Sequence, residues 1–343
     1  MEQSQQQEGH APHAVVGEAL EVDLDSVTGS DVDSALGDTD KASISTSLTS
    51  KITNFRVENG RRYHAFDEDV YALPNDDQEI GRLDIQHHVW RLCLNGKLHL
   101  APLSEHVQDV LDIGTGTGQW AIEFADQHPS ATVLGTDLSP IQPAWTPPNC
   151  SFLIDNAEDE WIFDKQYDFI RSRMLLFGLH DWEKYFQQTF KNLKPGGWME
   201  VHEPEFPLNW ANTTDEKDAP FAKWSRLISE AGEKCGIDTM ITKKFPTMIE
   251  KQGFVNIRHN SLQWPMGTWP KGQKEKVIGR WMIINTNEFL DAIALSWYTK
   301  YLGWKKEDVE AFLVDVRKDM YDPAKYYYWQ LHIYSAQKPQ TAT

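Results

Sequence analysis

Residues 110–118, with the sequence VLDIGTGTG, join a short apolar run to a turn that contains three glycines. We predict a strand over residues 107–113, a tight turn over 114–118 and a helix over 119–128. Glycines let the backbone approach a ligand closely and let a helix begin sharply after a strand. The stretch therefore indicates the nucleotide-binding turn of an α/β fold.

An aspartate follows this turn at an informative distance. A second apolar run at residues 132–136 predicts another strand, and Asp137 ends it 19 residues after Gly118. A carboxylate at this place in a doubly wound fold binds the hydroxyls of a ribose. A flexible glycine loop followed by an unrelated aspartate is the alternative, and the order of strand, turn, helix, strand and acid disfavours it.

The spacing of the glycines and the acid before them indicate which nucleotide binds. Dinucleotide sites usually have the pattern GxGxxG, whereas this turn reads GxGxG and is preceded by Asp112. An acid directed into the turn would repel a pyrophosphate and would attract a cationic ligand. S-adenosylmethionine carries a sulfonium and an amino group and has no phosphate, so we predict this cofactor in preference to NAD or FAD.

The rest of the chain continues the alternation of strands and helices. Further strands are predicted at residues 151–154, 167–172 and 198–202, with a helix at 182–193 before the last of these. This pattern predicts a parallel sheet with helices on both faces. More predicted elements flank that region, and they are helices at 80–94, 221–235, 245–251, 274–302 and 305–320 and strands at 254–263 and 329–335.

The charge of the chain is unevenly distributed. The 343 residues carry a formal charge of −18, and residues 1–50 contribute ten acids, the single base Lys41 and no aromatic residue. Such a polar, acidic segment cannot bury enough apolar surface to fold. We therefore predict a disordered acidic leader over 1–50 and one domain over 51–343. The negative charge also argues against direct nucleic-acid binding.

The cysteines and histidines argue against a disulfide framework and a metal site. Cys93, Cys150 and Cys235 are isolated, and the twelve histidines form no cluster with metal-ligand spacing. No apolar run approaches the roughly 18 residues needed to span a bilayer, and the N-terminus lacks a secretory signal. We expect an intracellular protein without a membrane anchor, in the cytoplasm or alternatively in the nucleus.

Several motifs together resemble a known family. Besides the glycine turn, they are RLDIQHH at residues 82–88, GTDLSPIQP at 135–143 and NLKPGGW at 192–198. The chain resembles class I S-adenosylmethionine-dependent methyltransferases, specifically the fungal LaeA-like group, over about residues 55–338. The resemblance implies a Rossmann-like, seven-stranded sheet with helices on both faces. It also implies a cofactor-binding half at about 105–205, an N-terminal helical cap within 51–100, and substrate-side helices within 215–328, inserted before the last strand.

The family resemblance also implies roles for individual residues. It assigns nine residues to the cofactor, namely Asp112, Gly114, Gly116, Gly118, Asp137, Leu138, Asn156, Ala157 and Arg171. The first four would line the methionine part, the next four would bind the ribose and the adenine, and Arg171 would lie where methyl donor and acceptor meet. Global regulators of the group usually have His at the position of Pro140, so this chain is closer to the members that belong to biosynthetic gene clusters.

Methyl transfer needs alignment of the acceptor and, for some acceptors, a base. His202 and Glu203 follow the fifth predicted strand, at the edge where such sheets bind ligands. His202 is our candidate base and Glu203 its orienting partner or a substrate anchor; a purely structural role is the alternative for both. Weaker candidates, for which a structural role is the simpler explanation, are His87, His88, His180 and Asp181.

Two functions from different classes follow from these features. The first is an S-adenosylmethionine-dependent methyltransferase that acts on a small-molecule or peptide product of fungal secondary metabolism. The second is a LaeA-like regulator of secondary-metabolite gene expression that acts through protein partners with little turnover. The acidic leader fits the second function, and the complete cofactor signature fits both.

Overall fold

The computed structural model describes residues 55–64, 73–211 and 216–340, together with the backbone of residues 14–16. The rest of the predicted leader lies outside the described residues. These residues contain ten strands, and they are β1 Ala14–Val16, β2 Arg56–Glu58, β3 Arg61–Tyr63, β4 Asp109–Ile113, β5 Thr132–Asp137, β6 Cys150–Ile154, β7 Tyr167–Arg173, β8 Leu193–Trp210, β9 Val255–Pro265 and β10 Tyr327–Gln337 within the described part of the chain. Seven α-helices accompany them in the described ranges, and they are α1 Asp77–Cys93, α2 Gln119–Gln127, α3 Trp182–Asn192, α4 Pro220–Cys235, α5 Phe245–Lys251, α6 Gln273–Tyr301 and α7 Lys306–Met320.

One mixed sheet organises the molecule. Its strand order is β1-β9-β10-β8-β7-β4-β5-β6, in which β4 to β8 run parallel and β10 is antiparallel to both of its neighbours. The predicted seven-stranded, Rossmann-like sheet is confirmed. Because β4 lies between β5 and β7, its carboxyl end is the switch point at which open α/β sheets bind ligands.

An eighth strand comes from the region that we predicted to be disordered. The short β1 pairs in parallel with β9, with Ala14 opposite His259. Composition did not predict this strand, because pairing along an exposed sheet edge satisfies backbone hydrogen bonds without burying a core of its own. The strand extends the sheet at the edge opposite β6.

The glycine turn holds its helix against the sheet. Gly118 precedes α2 in a left-handed conformation, and the buried face of α2 presents Trp120 and Phe124. Both rings pack against Phe169 of β7, at centroid distances of 6.1 and 6.3 Å. This packing keeps the turn at the carboxyl end of β4.

The predicted element boundaries differ most from the observed ones in the N-terminal helix and in β8. The N-terminal helix begins at Asp77, because the Asp76 side chain accepts a hydrogen bond from the Glu79 N–H and caps it. The strand predicted at 198–202 is β8 and extends over Leu193–Trp210. It is longer because the residues around Gly196 pair with the end of β10 instead of forming a separate turn.

Loops, rather than helices, follow β5 and β6. The fully described connections at residues 138–149 and 155–166 contain no helix, so helices cover both faces of the sheet only nearer its centre. At the other end of the site, α1 packs against α6. These two helices and the glycine turn enclose the functional site.

Candidate active site

A deep cavity opens at the carboxyl ends of β4, β5 and β7. It holds about 1540 Å³ of empty space, its mouth included, and its walls come from the glycine turn, from α1, from α6, from the segment after β7 and from β8. The cavity therefore extends from the glycine turn to the walls that α1 and α6 provide.

The glycines of the turn have left-handed backbone conformations, and two of them have no space for a side chain. Gly114, Gly116 and Gly118 have φ values of +65°, +59° and +78°. A Cβ on Gly114 would lie 2.2 Å from Cδ2 of Leu175, and one on Gly118 would lie 2.4 Å from Cζ of Phe152. Only glycine fits both positions, and Gly114 and Gly116 line the cavity. Gly118 does not line the cavity. Its left-handed conformation lets α2 begin directly after the turn.

Asp112 lies beneath the turn, which corrects the sequence-based expectation. Its side chain is fully buried and is not part of the cavity wall. One carboxylate oxygen accepts the Thr115 hydroxyl at 2.7 Å, and the other accepts Nη1 of Arg171 at 2.7 Å. Because both oxygens are engaged within the protein, Asp112 shapes the turn and orients Arg171.

Asp137 lies where a carboxylate can accept hydrogen bonds from the hydroxyls of a ribose. Its Oδ2 accepts the Gly116 N–H at 2.8 Å, and its Oδ1 accepts the Ser139 N–H at 3.0 Å. The side chain lines the cavity, and burial raises its pKa to about 6. Each oxygen keeps a second lone pair, so the carboxylate can accept two hydroxyl groups.

The loops after β5 and β6 form the part of the cavity wall beside Asp137, which we call the slot. Leu138, Asn156 and Ala157 all line it. The Asn156 side chain accepts the Glu158 N–H at 3.0 Å, and the Trp161 indole N–H donates to the Ala157 carbonyl at 3.0 Å. These bonds fix the loop in a shape that can hold a planar base.

Two arginines of β7 give the opposite end of the cavity a positive charge. Both Nε and Nη2 of Arg171 are buried without a hydrogen-bond partner in the described part of the chain. Arg173 also lines the cavity and contacts Nδ1 of His87 at 3.0 Å through Nη2. Burial and the nearby Arg171 lower the pKa of Arg173 to about 9. Buried, unpaired donors are costly, so this end of the cavity fits a carboxylate such as that of the methionine part of S-adenosylmethionine.

His87 holds Arg173 and is not free to act as a base. Its Nδ1 lies against the Arg173 guanidinium, and its Nε2 lies 3.3 Å from a carboxylate oxygen of Glu123. Burial and the neighbouring arginines lower the pKa of His87 to about 2. Because a guanidinium can only donate hydrogen bonds, Nδ1 must be an acceptor and the ring is neutral. No other histidine lines the cavity within the described ranges.

His202, our candidate base, is buried outside the cavity. It has no exposed surface, and its Nε2 lies 2.7 Å from Oε1 of Glu200. Burial lowers the pKa of His202. The Glu200 carboxylate in turn accepts the backbone N–H groups of Leu100 and Ala101. This chain of contacts ties β8 to the segment before β4, so the structure gives His202 a structural position rather than access to an acceptor.

Glu203 likewise lies behind the cavity wall. Its two oxygens accept the backbone N–H groups of Leu175 and Leu176, at 2.8 and 3.0 Å. Burial raises its pKa to about 8. These bonds hold the loop after β7, in which Met174 has a φ of +61° and Leu175 packs over Gly114. Glu203 thus positions the wall and does not reach a ligand.

The weaker histidine and aspartate candidates also have structural contacts. Asp181 caps α3 by accepting the Lys184 N–H at 2.9 Å. His180 pairs with Glu158 at 3.0 Å, and the His88 ring packs edge-on against Trp281. None of the three lines the cavity.

Aromatic rings form the wall of the second half of the cavity. Phe177 contacts both Phe206 and Phe289, at centroid distances of 5.0 and 5.7 Å, and Phe206 contacts Trp329 at 4.4 Å. All four residues line the cavity, as does Trp264. This half suits a flat, apolar molecule.

Sequence reasoning missed several residues of the site. Arg173 carried a usable signal, because it stands two residues after Arg171 and therefore on the same side of β7. Thr117 donates a hydrogen bond to Asp84 of α1 at 2.9 Å, which ties that helix to the glycine turn. Asn285 on α6 is also part of the wall, and no motif in the sequence indicated it.

Comparisons with known proteins agree with this geometry. A family model described as a methyltransferase domain matches residues 85–259. The chain is 36% identical over 310 residues to methyltransferase pytC of Aspergillus terreus, covering 90% of this chain and 95% of that protein. It is 34% identical over 265 residues to the probable methyltransferase tdiE of Emericella nidulans, covering 77% and 83%. It is also 32% identical over 291 residues to the secondary metabolism regulator LAE1 of Cochliobolus heterostrophus, covering 83% and 95%.

The sheet order, the glycine turn, Asp137 and these similarities agree on one family. Among the described residues no helix is long and apolar enough to cross a bilayer. The cofactor is S-adenosylmethionine. The chain belongs to the LaeA-like family of fungal class I S-adenosylmethionine-dependent methyltransferases.

Proposed function

We propose that this enzyme methylates a small-molecule product of fungal secondary metabolism. The observation that carries the proposal is the shape of the cavity, in which the cofactor half continues into a half walled by Phe177, Phe206, Phe289 and Trp329. Helices α1 and α6 close over this second half. An enclosed aromatic wall suits a compact apolar molecule better than the surface of a folded protein.

In this proposal the cofactor lies along the carboxyl ends of the strands. Asp137 accepts the ribose hydroxyls, the slot at Leu138, Asn156 and Ala157 holds the adenine, and Gly114 and Gly116 leave room for the chain that leads to the sulfonium. Arg171 and Arg173 bind the carboxylate at the other end. All of these side chains or backbone positions line one continuous cavity.

The chain's own contribution to the chemistry is alignment. S-adenosylmethionine supplies a methyl group on a positively charged sulfur, which departs as a neutral thioether when the acceptor forms its new bond. His87 is neutral and occupied by Arg173, and His202 and Glu203 lie behind the wall. We therefore assign the rate enhancement to proximity and orientation, and acceptor deprotonation to the acceptor's own acidity.

The similarity to pytC and tdiE supports an acceptor from secondary metabolism, since both are named as methyltransferases. Pro140, at the position where global regulators of the group usually carry His, favours the same branch. The similarity to LAE1 favours a second candidate, a regulator of secondary-metabolite genes that acts through protein partners. The aromatic half of the cavity favours the first function, because a regulator with little turnover has no use for an acceptor site.

Deleting the gene in the fungus that carries it tests the proposal. We expect a compound that lacks one methylene group to accumulate, while the other transcripts of the pathway stay at their usual level. Complementation with Asp137→Asn should fail to restore the methylated product, and complementation with Asp308→Asn, on exposed α7, should restore it. Loss of the whole set of transcripts, without an unmethylated compound, would instead support the regulator.

A further inference from the structure

The amide of Asn285 is held in one orientation at the wall of the aromatic half. Nη1 of Arg82 lies 3.0 Å from the Asn285 side-chain oxygen. A guanidinium carries only donors, so the atom that it contacts must be the oxygen, and the amide nitrogen Nδ2 is the other terminal atom. The orientation of the amide thus follows from the chemistry of its neighbour.

Arg82 is itself locked in place. Its Nε and Nη2 donate to the two carboxylate oxygens of Glu79, at 2.9 and 2.7 Å, and both side chains are at most 3% exposed. Such a two-point pair fixes the plane of the guanidinium. The pair is neutral as a whole, so this part of the wall offers a directed hydrogen bond and no net charge.

The Nδ2 group of Asn285 has no hydrogen-bond partner in the part of the chain that the structure describes. The residue is only 5% exposed and lines the cavity, with Met282 and Phe289 on the same face of α6. A donor at a cavity wall can bond to water or to a ligand, and an apolar ligand that displaces the water leaves it unpaired at a cost in free energy. A ligand that carries an oxygen at this place would satisfy the donor.

We propose that Asn285 recognises an oxygen of the methyl acceptor, and that the acceptor is a flat, conjugated compound with a carbonyl or phenolic oxygen. The inference rests on the proposed function and names its substrate class. The flat body lies against Phe177, Phe206 and Phe289, and the oxygen accepts a hydrogen bond from Nδ2. An anionic acceptor is not favoured at this wall, because Glu79 already neutralises Arg82 and the cation of the cavity without a carboxylate partner among the described residues is Arg173.

Two probes of the same shape test the proposal. 2-Acetylnaphthalene and 2-isopropenylnaphthalene differ only by an oxygen in place of a methylene group. Their binding to the full chain saturated with S-adenosylhomocysteine is measured by calorimetry or by ligand-observed NMR. We expect the ketone to bind about tenfold more tightly, the usual size of one buried hydrogen bond. Equal affinities, or binding of neither probe, would overturn the inference.

Matched variants show whether Asn285 is the source of the preference for the ketone. Asn285→Asp and Asn285→Leu both remove the donor, and each should abolish the preference for the ketone. Asn287→Asp is the control, because Asn287 lies on the same helix and also accepts from an arginine, Arg317, but lies outside the cavity. A preference that survives in both Asn285 variants would contradict the assignment. If S-adenosylhomocysteine binds and only the preference is missing, the inference fails and the proposed function stands. If S-adenosylhomocysteine does not bind, both are wrong.

Discussion

Arg173 is a cation whose partner has to come from outside the protein. It lies in the cavity wall beside a second arginine, and its Nη2 contacts the neutral ring of His87. Asp112 neutralises Arg171, so the charge of Arg173 is left without a carboxylate among the described residues. A buried charge of this kind is stabilised when a ligand supplies the opposite one.

Replacing Arg173 by methionine should weaken binding of S-adenosylhomocysteine roughly 10- to 100-fold, the range of a charge-assisted hydrogen bond. Binding of 5′-methylthioadenosine, which lacks the amino-acid part, should be unchanged. Calorimetric titration of both ligands measures the difference. Arg258→Met is the control, because that guanidinium lies over Trp198 outside the cavity. Equal losses for both ligands would contradict a carboxylate-binding role.

Gly114 has a left-handed backbone and, in addition, no space for a side chain beside Leu175. Gly114→Ala should lower the affinity for S-adenosylhomocysteine at least tenfold, because the new methyl group would displace Leu175 while the left-handed backbone itself costs about 1 kcal/mol. Gly303→Ala has a similar φ of +72° and open space around it. It should reduce the unfolding temperature slightly and leave ligand affinity unaffected. An equal loss of affinity in the two variants would show that Leu175 is not the cause.

At the scale of elements, the middle of β8 supports the loop that follows β7. Glu203 accepts the N–H groups of two loop residues, and the loop carries Leu175 over the glycine turn. The loop after β7 and its packing over the glycine turn thus depend on one buried carboxyl group. This is why a residue that touches no ligand can still matter for binding.

The raised pKa of Glu203, about 8 because of burial, predicts a pH dependence of stability. Between its ordinary value and pH 8 the folded state keeps the proton that the unfolded state releases, so the free energy of unfolding falls as pH rises through this window. Glu203→Gln should flatten this slope in unfolding temperatures measured from pH 5 to 9. Glu183→Gln, an exposed residue of α3 paired with Lys251, should leave it unchanged. Parallel curves for the wild type and Glu203→Gln would contradict the prediction.

The sequence predicted the fold well, and it marked two glycines and an acid that line the first half of the cavity, because both depend on local patterns. Gly114, Gly116 and Asp137 stand at fixed distances from strands, and the apolar runs mark those strands directly. It predicted the acceptor half poorly, because Arg82 and Asn285 are 203 residues apart and meet only when α1 packs on α6. The same dependence on tertiary packing explains why His202 and Glu203 were expected in the site although they lie behind its wall. The strand predicted at 198–202 lies within β8, but β8 continues to Trp210, and the side of the wall to which these residues belong depends on tertiary packing.

At the scale of the whole molecule, much of the negative charge of the chain comes from residues that do not line the cavity. Half of the formal charge of −18 lies in residues 1–50, of which the described part, β1, pairs only with β9 at the sheet edge opposite β6. The cavity has its positive end at Arg171 and Arg173 and an uncharged, aromatic second half. The molecule therefore combines an acidic exterior with a site suited to a cofactor carboxylate and an apolar acceptor.

Transfer of a labelled methyl group tests the central claim most directly. The purified protein is incubated with S-adenosylmethionine labelled in the methyl group and with a small-molecule extract of the gene-deletion strain, alongside a parallel incubation with the protein fraction of the same strain. We predict label in one small molecule of the extract, none with the Asp137→Asn variant, and none in the protein fraction. Label that enters only the protein fraction, or no transfer to either fraction by the wild-type protein, would contradict the account.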